Sequence, residues 1–331
     1  MATIAPLASL LASMGRRATA GPFAVTLTPA WMQGRTTYGG CSAALCLEAA
    51  RRVLALELSS GAPLPPLRSA SVAFAGAVGG AVEVRGEVLR RGKAMSFVRG
   101  EVLDEKGQVA TTATFAFGVG RPSLFHECSV AAPPAGLKGP EDCEDLFAGA
   151  PFRPVFTQNF EARLALGGRP ATGYTGAAEH FIWVRHRGCI GGASDSGGGL
   201  VKPLGGGESD GGGQGVGGVA GVAAEVAMLA LADMPPPAML PRFPNPAPIA
   251  SATWHVNFLE DLTAAHNPAT AVGAVGGGSG GDAVCAHPGG WWLLMARAEH
   301  AKAGYSSQDI TLWGRDGRPV LVGRQSVAIF A

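Results

Sequence analysis

The feature that most constrains this chain is that it repeats itself. Gly107 and Gly317 stand 210 positions apart, and at that same offset Ser96 meets Ser306, Val102 meets Leu312 and Phe115 meets Gln325. Both stretches read strand, turn, strand, charged glycine turn, strand. Upstream, Phe74 and Phe258 correspond at an offset of 184, and the register lost between them is about the length of a Gly/Ala/Pro-rich stretch at residues 264–290. A duplication of this kind predicts two units of one architecture, packed in a single chain as a pseudo-dimer.

Each unit has one principal helix. In the first, Ala43, Leu47, Ala50 and Leu54 recur at helical spacing, while Glu48, Arg51 and Arg52 share another face and predict a solvated ion pair. Gly39 and Gly40 open this helix, so the backbone there can approach a neighbour or a substrate closely and present unpaired N–H groups to it. Strand patterns follow at residues 69–74, 82–89, 95–103 and 109–117, and one precedes the helix at 23–29. In the second half, strands are expected at 156–166, 180–187, 251–259 and three times within 291–330. A nearly all-apolar helix at 219–233 is stopped by Pro235, Pro236 and Pro237. The expected fold class is α+β, with two antiparallel sheets, each wrapped around a central helix and joined to the other. Residues 1–22 form a leader or targeting segment, 23–120 the first unit, 121–154 a linker and 155–331 the second unit. The second unit carries Gly-rich insertions at about 188–218 and 264–290.

Composition narrows the function classes. A formal charge of +1 with 15% charged residues argues against a nucleic-acid partner, and no apolar run is long enough to span a membrane. The six cysteines form no CxxC pair and no metal-type spacing, which points to a reducing compartment, either cytoplasm or an organelle lumen. The first acidic residue is Glu48, and the leader carries Arg16 and Arg17, so a transit peptide and a short leading helix are both open readings. No nucleotide, metal or nucleophile-elbow motif is present, and no metal is assigned.

Three residues stand against their local preferences. Asp233 closes the apolar helix at its negative end, with Leu229 and Ala230 behind it and prolines ahead, so no local cation compensates it. An acid so placed is a candidate general base of raised pKa. Gln325 shares a strand face with Leu321, Gly323, Val327 and Ile329, and a buried amide needs a partner. Its counterpart is Phe115, which predicts a single active site weighted to the second half. A hydroxyl completes the set. By simple alternation Ser251, Thr253, His255 and Asn257 form one polar strand face, opposite Trp254, Val256 and Phe258.

With these residues the chain resembles the double-hotdog acyl-CoA thioesterases, the acyl-CoA thioesterase II type, over roughly residues 23–331. The resemblance rests on Tyr38-Gly39-Gly40 before the helix, on Arg90-Arg91-Gly92-Lys93 with Ser96-Phe97-Val98-Arg99, and on Asp316-Gly317-Arg318 with Arg324-Gln325. It implies a tandem hotdog fold and hydrolysis of an acyl-CoA thioester by water held between an Asp, a Ser or Thr, and a Gln. Those positions fall on Asp233, Ser251 and Gln325, with Thr253 as the alternative hydroxyl, since Thr253 stands where the family commonly has Asp. Gly39 and Gly40 are the expected substrate-binding positions, their N–H groups facing the oxyanion. Coenzyme A enters as part of the substrate, no other cofactor is implied, and double-hotdog units are expected to form homo-oligomers. A non-catalytic acyl-CoA-binding or scaffolding protein and an enoyl-thioester hydratase or dehydratase are the alternatives. The hydratase would need a His paired with an acid near the helix entrance, and none is evident at residues 38–42.

Overall fold

The computed structural model describes residues 6–15, 22–59, 62–150, 152–187, 222–262 and 290–330. Both expected insertions lie outside the described residues, save Gly290. The first helix, α1 (Leu7–Ala12), buries Leu7, Leu10 and Leu11, and Arg52 donates to the carbonyls of Leu11, Met14 and Gly15 beside it.

The first half continues with β1 (Phe23–Leu27), a two-stranded ribbon of β2 (Met32–Gln33) and β3 (Thr36–Thr37), and the long helix α2 (Gly39–Glu57). Then come β4 (Leu67–Phe74), β5 (Gly80–Arg91), β6 (Met95–Leu103) and β7 (Val109–Gly118). The second half holds β8 (Phe160–Leu166), β9 (Glu179–His186), α3 (Ala224–Ala232), β10 (Ile249–Phe258), β11 (Trp292–Lys302), β12 (Tyr305–Trp313) and β13 (Pro319–Ile329). Strand β8 starts later than the alternation predicts, because residues 155–159 make a 3-10 turn.

Among the described residues the expected sheets run together as one large sheet, beside the small β2–β3 ribbon: eleven antiparallel strands in the order β1-β5-β6-β7-β4-β10-β13-β12-β11-β9-β8. The physical reason lies at β4 and β10, which would otherwise be edges with a row of unsatisfied N–H and C=O groups. They pair with each other instead, Ser71 opposite His255, and the Ser71 hydroxyl lies 2.8 Å from His255 Nδ1. The duplication is nevertheless plain in the order of strands. The series β1-β5-β6-β7-β4 is repeated as β9-β11-β12-β13-β10, with β8 added at the far edge. Gly107 and Gly317 adopt the same left-handed turn, with φ of 76° and 79°, which a side chain at either position would strain.

Helices α2 and α3 lie side by side on one face of this sheet, running in opposite directions. Near one end Arg51 of α2 is paired with buried Glu225 of α3; at the other, Tyr38 donates to the Ala230 carbonyl at 2.6 Å. The expected solvated pair is therefore corrected in two respects. Glu48 bonds Arg52 alone at 2.5 Å, in a largely covered setting, while Arg51 is drawn away to the second helix. The stretch expected as a linker is exposed over residues 121–129 and is anchored to the second half further along. Leu146 is fully buried, and Trp183 and Trp313 donate their indole N–H to the carbonyls of Lys138 and Ala131. No helix among the described residues is long and apolar enough to cross a membrane.

Candidate active site

The site is assembled where the N-terminus of α2 meets the C-terminus of α3, above β10, β12 and β13. Glycine makes this meeting possible. A Cβ on Gly39 would lie 2.7 Å from Asp233 Oδ2, and one on Gly40 would lie 2.6 Å from the Ala230 carbonyl. Any side chain here would push the helices apart, which is why a pair of poor helix formers stands at the head of the longest helix.

Asp233 caps α3 with φ of −90° and ψ of −1°. Burial pushes its carboxyl up from the ordinary 3.8 to about 7, and the Gln325 amide and the Gly40 N–H draw it partly back. Nothing on its own helix compensates Asp233, as its position in the sequence implies. The compensation comes instead from the other half of the molecule, since the N-terminus of α2 brings its amides and its positive dipole end to the carboxyl. Tyr38, at that same terminus, is held far above the ordinary phenol range by burial first and then by the Asp233 charge. It stays protonated and is a donor only to Ala230.

Gln325 is 3% exposed on the face of β13 that meets the helices. Its Nε2 donates to Asp233 Oδ1 at 2.7 Å and to Ser251 Oγ at 2.8 Å. Its Oε1 accepts from Gln308 Nε2 at 2.7 Å, and Gln308 Oε1 in turn accepts from the Ala238 backbone N–H at 2.9 Å. The structure thus brings Asp233, Ser251 and Gln325 together, with Gly39 and Gly40 against the acid.

Ser251 reaches this cluster through an irregularity that alternation does not predict. The pairing of β10 with β13 runs Ser251 to Val327 and then Thr253 to Ser326, so one residue, Ala252, is bulged out. The bulge reverses the parity of everything before it. Ser251 therefore sits on the helix side with Trp254, whereas Thr253 points to the outer face with Ser326 and Arg324. The single polar face expected for Ser251, Thr253, His255 and Asn257 is corrected accordingly, and Thr253 is on the wrong side of the sheet to share a water with Asp233.

Two members of the site are missing from the sequence reading. Gln308 is 2% exposed, and its counterpart in the first half is Val98. The comparison of halves that singles out Gln325 against Phe115 would have singled it out too. The other is the Ala238 N–H, the first backbone donor after three prolines that have none.

With this geometry in view, the comparisons with known proteins fall into place. The family model of the acyl-CoA thioesterase N-terminal domain matches residues 27–118, and that of the C-terminal domain matches residues 219–329. The chain belongs to the acyl-CoA thioesterase family. Both halves of that family signature are present, in order, and between them they contain every residue of the cluster. No curated protein matches the chain. Among solved structures, a conserved hot dog protein of unknown function from Alicyclobacillus acidocaldarius is 21% identical, with a TM-score of 0.68 over 97% of this chain and 98% of that one. A protein assigned as thioesterase II from Thermobifida fusca is 17% identical, with a TM-score of 0.64 over 99% and 100%. An acyl-CoA thioesterase II from Mycobacterium marinum is 13% identical, with a TM-score of 0.60 over 95% and 94%. At these identities the likeness establishes the hotdog fold for this acyl-CoA thioesterase family member, and no more.

Proposed function

We propose that the protein is a tandem hotdog that hydrolyses an acyl-CoA thioester by direct attack of water. The observation that carries this reading is the geometry at Asp233, a half-buried carboxyl bonded by an amide that also holds a serine hydroxyl, in surroundings that push its pKa up to about 7. A base titrating near neutrality is strong enough to take a proton from water and still mostly ionised as pH rises above 7.

In this mechanism Gln325 is a frame. Both hydrogens of its Nε2 are committed, one to Asp233 and one to Ser251, so it sets the separation of the two groups that contact water. The Ser251 oxygen accepts from Gln325 and keeps its own hydrogen to bond the water. Asp233 takes the proton as water adds to the thioester carbonyl. The N-terminus of α2 faces the developing oxyanion with the Gly39 N–H and its positive dipole end, while the Gly40 N–H is engaged by Asp233. Collapse of the tetrahedral species releases the sulfur, which leaves as the coenzyme A thiol with the proton Asp233 had taken. The carboxylic acid is the other product.

Free-thiol release from a panel of acyl-CoAs of graded chain length, with wild type beside Asp233→Asn, tests this. Release that collapses in the variant supports the mechanism, and the panel defines the acyl group that fits. Release that survives the substitution unchanged removes Asp233 from it. Acyl-CoA binding without release by the wild type replaces the reading with that of an acyl-CoA-binding protein.

A further inference from the structure

The amide of Gln325 has to point one way for the site to function, yet a glutamine side chain is nearly symmetric in shape and can be turned over with little steric cost. What decides the direction is a relay that begins at the backbone. The Ala238 N–H can only donate, so Gln308 must turn its Oε1 toward it at 2.9 Å. The Gln308 Nε2 then faces Gln325, at 2.7 Å, and Gln325 must offer Oε1 to it. That leaves the Gln325 Nε2, and only that, for Asp233 and Ser251. We infer that Gln308 is a positioning residue that locks the orientation of the Gln325 amide and thereby keeps Asp233 in a state able to act as a base. The inference rests on the reading of Asp233 as the group that activates water.

Three further observations support it. The relay closes on itself: Ala238 follows Asp233 by five residues through Pro235, Pro236 and Pro237, whose fixed φ angles make that connection stiff. Gln308 is almost fully buried, so no water competes for either end of its amide. Finally, Gln308 and Gln325 face each other across β12 and β13, as Val98 and Phe115 do across β6 and β7. The first half fills the same pair of positions with hydrocarbon. The second half therefore holds two amides where packing alone would be served by two apolar side chains.

Gln308→Glu is the informative variant. The introduced carboxylate has nearly the shape of the native amide and still accepts from Ala238, but when ionised it has no hydrogen for Gln325. The Gln325 amide then turns its NH2 group toward the new carboxylate and its carbonyl toward Asp233. Gln308→Met keeps the length and removes both functions without adding charge, which guards against a folding defect or a charge effect in the first variant. Two readouts are needed on wild type and both variants. The first is the Asp233 titration, followed by carboxyl-carbon NMR with Asp233→Asn to assign the signal. It is expected to move to higher pH in both variants, further in Gln308→Glu. The second is the pH profile of kcat for thiol release from acyl-CoA. Its acid limb should move in the same direction, and kcat should fall on the order of 10²-fold, as for a displaced catalytic group, with KM changed much less. An Asp233 titration unchanged in both folded variants overturns the inference, whatever the activity. A titration shifted in the variants, with a wild type that releases no thiol, leaves the positioning role standing and removes the thioesterase reading alone.

Discussion

The two halves of the sheet differ most where they should be most alike. Strands β6 and β7 of the first half and β12 and β13 of the second have the same register, the same left-handed glycine turn and the same helix-facing positions. In the first half the facing pair is Val98 and Phe115, both fully buried. In the second it is Gln308 and Gln325, equally buried but joined to Asp233, Ser251 and Ala238 by hydrogen bonds. An apolar pair is held by packing that tolerates small displacements, whereas a buried amide is held by partners whose absence costs about 1–3 kcal/mol. Duplication separates these demands. One half carries packing at these positions, and the other carries a polar network whose direction matters.

The largest test of this division is Asp233→Asn. By comparison with general bases, thiol release is expected to fall by about 10²–10⁴-fold, with the fold intact by circular dichroism. Next comes a transplant of the first-half pair into the second, Gln308→Val with Gln325→Phe. Release is expected to fall on the order of 10²-fold because the frame between Asp233 and Ser251 is gone. The reverse transplant, Phe115→Gln, should leave an amide among hydrocarbon with nothing to bond and lower stability by about 3 kcal/mol or more. If the first-half variant were as stable as the wild type in denaturant melts, the contrast between the halves would be broken.

The pH dependence sharpens the same contrast, since Asp233 has no titrating counterpart in the apolar pair. Its folded-state pKa of about 7 lies above the unfolded value of 3.8. The neutral form is therefore the stabilising one. Its contribution is complete below pH 4 and is lost as pH rises to 7, by roughly 4 kcal/mol on linkage. Activity runs the other way, rising through an acid limb near pH 7 as the base ionises. Thermal melts from pH 4 to 8 should lose most of this slope in Asp233→Asn. The smallest effects separate the two hydroxyls of β10. Ser251→Ala should lower release about tenfold, the equivalent of about one hydrogen bond, while Thr253→Val on the outer face should leave it unchanged. The opposite outcome would place the water on the other side of the sheet.

Much of this was legible in the residues. The repeat at 210 set the two halves in register, and it did so to the residue for β6 with β12 and for the starts of β7 and β13. Asp233 was conspicuous because every local preference opposed it, and Gln325 because an amide interrupted an apolar face. Gln308 carried the same signal, since its equivalent is Val98, but a single glutamine beside Ser306 and Ser307 in a polar-looking strand conceals its burial. Ser251 was singled out by the resemblance but put on the outer face by alternation, because a one-residue bulge at Ala252 has no marker in the side chains around it.

What the sequence by itself determined was therefore the periodic part: the helix and strand patterns, the duplication, and the residues whose chemistry conflicts with their surroundings. The tertiary structure alone decided which groups meet. It merged the two sheets by pairing β4 with β10, drew Arg51 away from Glu48 to Glu225, and brought the N-terminus of α2 to an acid nearly 200 residues away in the chain. Such contacts depend on how two helices are docked on a twisted sheet, and a glycine pair permits that docking without specifying its partner. Local preference acts along the chain, but a buried charge is governed by whatever the fold sets beside it.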